Sequence, residues 1–81
     1  IALAMNNDND EIRQEIARAY KKQCLLTNNG CEEAILIYNF LISLYSSDEV
    51  LILERLSIHQ YLSDSVGIIE DEKLLLKSME F

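Results

Sequence analysis

With 81 residues, a net charge of −7, no proline and two glycines, the chain is long enough for one small, helix-favouring domain. Phosphate backbones repel such a surface, which argues against a nucleic-acid ligand. The longest apolar run is broken by Asn39, Ser43 and Asp48, well short of the ~20 residues of a membrane span.

The charge is unevenly placed. Residues 1–30 balance four acids against four bases, whereas residues 31–81 hold ten acids against Arg55, Lys73 and Lys77. Surplus acid of this kind keeps an apolar chain soluble. No basic–apolar–small signal segment opens the sequence. Cys24 and Cys31 flank a short turn without a wider cysteine framework, so two reduced, half-buried thiols and a cytoplasmic location are expected.

Residues 1–9 read as an extended leader. The first helix is expected over 10–26, with Asp8 and Glu11 spaced as a capping box. Ile12, Ile16, Ala19, Tyr20 and Cys24 recur on one face, as in a one-sided amphipathic helix. Thr27-Asn28-Asn29-Gly30 marks a turn. Asn29 is the expected cap of a second helix over 31–45, with Glu32 and Glu33 at its positive end.

That second helix contains AILIYNFLISLY, whose apolar side chains cover an arc of roughly 220°. Ile37, Phe40, Leu41 and Leu44 fill one half, and Ile35, Tyr38, Ile42 and Tyr45 the other. So wide an arc needs covering from several sides, by the chain itself or by a partner. Tyr38 and Tyr45 suit an interface, where rings supply apolar area and hydroxyls reach the wet rim; Tyr20 and Tyr61 can join them.

Ser46 and Glu49 are spaced as the capping box of a third helix over 47–62. It shows two apolar stripes, one of Ile52, Leu53 and Leu56, the other of Leu51, Ile58, Tyr61 and Leu62. Arg55 and His59 lie between them. After Ser63-Asp64-Ser65 a last helix is expected over 66–79, its apolar surface drawn from Leu74, Leu75, Leu76, Met79 and Phe81. No strand-like alternation competes with the helical period. The expected fold is a single all-α domain of three to four antiparallel helices, arranged as a helical-hairpin (tetratricopeptide-like) repeat or a small bundle.

The chemistry for catalysis is absent from this pattern. His59 is the single histidine, and Cys24 and Cys31 match no zinc spacing. Ser57, His59 and Asp64 make a triad only on paper, because neighbours on one helix do not converge. Glu70, Asp71 and Glu72 lack the spacing of a calcium loop and read as a solvated acidic cluster. His59 reads as a surface or interface residue. No cofactor or metal is implied, and the expected activity is protein binding.

Within residues 31 to 70, Glu32-Glu33-Ala34 opens a helix, followed by Asp48-Glu49-Val50, Arg55-Leu56-Ser57 and Asp64 at the next turn. This order resembles the tetratricopeptide-like co-chaperones of type III secretion needle subunits. The resemblance implies a cytoplasmic chaperone that sequesters the amphipathic C-terminal helix of a needle subunit, together with a second small helical chaperone. The groove would then draw on Tyr38, Leu41, Ile42, Tyr45, Leu53 and Leu56. The companion would sit on helix one, at Ile12, Ile16 and Tyr20. The chain is shorter than such proteins and lacks several of their small packing residues. A bacteriocin immunity protein of the four-helix-bundle kind and a regulator dimerising through its second helix are the alternatives.

Overall fold

The computed structural model describes residues 8–79, Asp8 by its backbone alone. The expected leader falls outside these residues apart from its last two positions, and Phe81 lies outside them too. Four helices follow one another: α1 (Asp8–Thr27), α2 (Cys31–Leu44), α3 (Glu49–Tyr61) and α4 (Ser65–Ser78). The all-α expectation holds, and no strand occurs among the described residues. The helix boundaries fall within two residues of those expected.

Local chemistry sets these boundaries, in part through residues other than the expected ones. The α1–α2 turn passes through two left-handed residues, Asn28 and Gly30. Gly30, at φ 87°, occupies the N-cap position of α2, and no side chain caps that end. Asn29, the expected cap, instead donates its backbone N–H to the Thr27 hydroxyl. A Cβ at Gly30 would stand 3.0 Å from the Tyr20 ring as well as straining the backbone.

Asp48, rather than Ser46, caps α3, its carboxylate accepting from the N–H groups of Val50 and Leu51. The shorter Asp spacing wins because Ser46 and Ser47 are spent on the turn itself. Asp64 caps α4 in the same way, accepting from Gly67 N–H.

The helices pair as two hairpins, α1 with α2 and α3 with α4, and α3 packs against both α1 and α2. Among the described helices, α4 makes close backbone approach to α3 alone. The result is a slab of 38 × 31 × 17 Å. Its core is built on Ala17, Ala34, Tyr38, Leu41, Leu51, Ile52 and Ile58, with Leu74 and Leu75 of α4 packed against it.

Three expectations need correcting here. Cys24 and Cys31 are joined in a disulfide with Cα atoms 4.7 Å apart, not held as free thiols. Both cysteines are buried, so the bond staples the end of α1 to the start of α2 inside the core. Disulfides persist where the surroundings are oxidising, which removes the thiol argument for a cytoplasmic location. No helix among the described residues is long and apolar enough to cross a membrane.

The second correction concerns α1, which is turned differently from the expected amphipathic helix. Asp10, Ala17 and Cys24 face the core, while Ile12, Ile16 and Ala19 are exposed. The third is His59 and Asp71, expected at the surface and found buried. Asp71 is fully enclosed. His59 Nδ1 lies 2.6 Å from one of its oxygens, and Arg55 Nε donates to the other at 2.7 Å. Arg55 also donates from Nη1 to Asn39 of α2 at 2.8 Å. Its Nη2 is 2.5 Å from Asp71 without the alignment of a hydrogen bond. The polar residues between the α3 stripes thus form a buried row, because α4 places a carboxylate directly over them. Gly67 makes this approach feasible: a Cβ there would come within 2.6 Å of the His59 ring.

Candidate functional site

Six residues were expected to form a partner groove, and the structure does not bring them onto one surface. Tyr38, Leu41 and Ile42 are buried within the chain's own core. Leu53 is exposed, and Tyr45 and Leu56 are half-buried. The Tyr45 hydroxyl, expected at a wet rim, donates to Asp10 at 2.6 Å and pins the end of α2 to the start of α1. That hydrogen bond raises its pKa above the usual 10.0. The wide apolar arc of α2 is covered by α1 on one side and α3 on the other, so half of it is ordinary core.

Part of the helix surface remains uncovered. On α2, Leu36 is 62% exposed, and Phe40 and Leu44 follow it at intervals of four along the same side. On α1, Ile12 is 56% exposed, and Ile16 stands one turn further on. Tyr20, grouped with them in sequence, is half-buried and packs beside Gly30.

Of these side chains, Ile12, Ile16, Phe40 and Leu44 are turned away from α3, whereas Leu36 lines a hollow with Leu62 at the end of α3. Gln14 and Arg18 of α1 reach α3, both bonding to Glu54. Ile12 and Ile16 lie on the opposite side of the helix, at about 100° per residue. Asn39 is the α2 residue reaching Arg55 of α3. Phe40 and Leu44 lie at least a quarter turn from it.

Arg13 joins the two helices across this face. Its guanidinium stands 5.1 Å from the centroid of the Phe40 ring, and Asp10 holds it through a 2.6 Å ion pair. Cation–π contact and carboxylate together fix a side chain that would otherwise sweep over the hollow. Arg13, Leu36, Ile37 and Phe40 line that hollow. Glu11 and Glu15 on α1 and Glu32 and Glu33 in the first turn of α2 are also exposed.

The edge next to α3 is electrostatically closed. Arg18 Nε donates to Glu54 at 2.7 Å and Nη1 to Glu15 at 3.0 Å. The bond to Glu54 raises the Arg18 pKa against the opposing effect of burial. Beneath it the Tyr38 hydroxyl is buried with no aligned hydrogen-bond partner. Burial and, next, the nearby Glu54 charge push its pKa up strongly.

Among the described residues no group of three or more histidine, cysteine or acidic side chains is placed to hold a metal ion. What the face offers is apolar area and one cation held over the Phe40 ring. The signal for it was present in the sequence, since Leu36, Phe40 and Leu44 repeat at helical spacing. The orientation of α1 hid the contribution of Ile12 and Ile16. Comparison of the chain with family models, characterised proteins and solved structures gave no match.

Proposed function

We propose that the chain is a helix-binding adaptor, and that the outer face of the α1–α2 hairpin takes an amphipathic helix whose polar side is basic. The supporting observation is the uncovered run of Leu36, Phe40 and Leu44 on α2, linked to α1 by Arg13 over the Phe40 ring, with Ile12 and Ile16 uncovered on α1 as well. Contiguous apolar surface with a polar rim is the usual mark of a protein-interaction site. A helix laid on it would present apolar residues at i, i+3, i+4 and i+7. Its basic side would suit a chain with net charge −7.

The needle co-chaperone is the specific form of this reading. Its support is the residue order within 31–70 and the hairpin architecture. In that form Ile12 and Ile16 belong to the same face as the cargo groove, rather than to a separate companion site. A cytoplasmic chaperone of this kind would keep Cys24 and Cys31 reduced, so thiol trapping in the native host separates it from an adaptor working in an oxidising compartment.

The test is fluorescence anisotropy with a labelled amphipathic peptide bearing lysines on its polar side, run beside a scrambled control. A needle subunit's C-terminal helix is the second probe. Phe40→Glu and Ile16→Glu should each weaken binding about tenfold or more, with circular dichroism melts little changed because both side chains are exposed. Equal binding of the scrambled peptide, or unaltered binding by both variants, overturns the proposal.

A further inference from the structure

A second uncovered apolar stripe runs along α4, at the other end of the slab. Val66 is 75% exposed and Leu76 65%, with Ile69 and Met79 also exposed on the same side. The buried residues Gly67 and Asp71 face α3. Glu72, Leu75, Leu76 and Met79 line a shallow hollow in the stripe. At its middle stand Glu72 and Lys73, both exposed. Neither makes an ion pair among the described residues.

The order of these residues is palindromic in character. Reversing the helix about the point between Glu72 and Lys73 exchanges Val66 with Met79, Ile69 with Leu76, and Glu72 with Lys73. An antiparallel pairing of two α4 helices about that two-fold therefore sets apolar against apolar at four positions. It also sets acid against base at two. A two-fold interface requires this self-complementarity of one patch, and a random apolar stripe lacks it.

We infer that α4 is a self-association face, on which a second copy of this chain pairs antiparallel through Val66, Ile69, Leu76 and Met79, with Glu72 of each copy opposite Lys73 of the other. The fourteen residues of α4 span about 21 Å. One helix pair of that length covers less than the roughly 1,200 Å² of a standard stable interface. The dimer is accordingly weak and concentration-dependent. It leaves the α1–α2 face free, so it is independent of the helix-binding reading above.

Sedimentation velocity on the full chain, from micromolar to millimolar concentration, tests the inference. The expected result is a monomer–dimer equilibrium for the unaltered protein. Lys73→Glu, which sets acid against acid across the two-fold, should raise the dissociation constant about tenfold. The exchanged variant Glu72→Lys/Lys73→Glu restores both pairs and should return the constant to its starting value. Circular dichroism confirms that each variant is folded. A chain that stays monomeric throughout overturns the inference. So does a dimer indifferent to Lys73→Glu, or one the exchanged variant fails to restore.

Discussion

The two hairpins close by different means. The α1–α2 hairpin is joined by a covalent bond and a largely apolar seam, with one hydrogen bond from Tyr45 to Asp10 at its open end. The α3–α4 hairpin has no covalent tie and closes over a buried ionic knot, Arg55–Asp71–His59. The first arrangement constrains the unfolded chain; the second demands a particular register in the folded one. A disulfide tolerates small shifts of the helices around it. A buried carboxylate shared by the Arg55 guanidinium and the His59 ring tolerates none, because losing one partner strands the others away from water.

Asp71→Ala should be the most damaging way to break this contrast. It leaves Arg55 and His59 buried without their common partner, a change that costs about 3–5 kcal/mol in comparable sites. Urea denaturation should show a chain near or past its stability limit, with α4 lost from the fold. A change within ±0.5 kcal/mol would mean that the knot contributes little and that α4 is held by Leu74 and Leu75 alone.

Cys24→Ser/Cys31→Ser should cost less. Closing so short a loop stabilises by about 2–3 kcal/mol in the chain-entropy treatment. Melting with and without a thiol reductant checks this, since reduction of the unaltered protein should reproduce the variant. If the variant matched Asp71→Ala in severity, the first hairpin would depend on its staple as heavily as the second on its knot.

The smallest effect concerns the Tyr38 hydroxyl, which lies where the hairpins meet. Its pKa is raised in the folded state above the ordinary 10.0, so the native protein holds this proton more tightly than the unfolded chain. That contribution is fully present below pH ~10 and is lost as pH rises beyond it. Tyr45, raised by its bond to Asp10, acts in the same direction. Tyr38→Phe should be near neutral or slightly stabilising at pH 7, because the hydroxyl lacks an aligned partner. It should also flatten the alkaline decline seen in melts between pH 9 and 11.5. An unchanged decline would place its origin elsewhere.

Helix periodicity and turn chemistry made the four helices legible in the sequence, because both are local properties. The caps were legible only as a class: Asp48 and Asp64 stand among other capping residues, and the choice between Asp48 and Ser46 depends on how many residues the turn consumes. The face of α1 was not legible. Ile12 and Ile16 look like core on hydrophobicity alone, whereas the observed core side carries Asp10 and Gln14, whose partners Tyr45 and Glu54 lie 35 and 40 residues away. The same reason hid His59 and Asp71. Each is polar, and only the α3–α4 crossing makes one the partner of the other. Of the candidate site, the α2 contribution could be read from spacing, but not which half of its arc the chain would cover itself.

A body 17 Å through holds a single stratum of side chains between two water-facing sides. With helices about 10 Å across, no helix is sheltered behind another, and each contributes both to the interior and to the skin. Laying a foreign helix on such a slab adds a second stratum and turns skin into interior. For a molecule this thin, taking a partner continues the process that folded it.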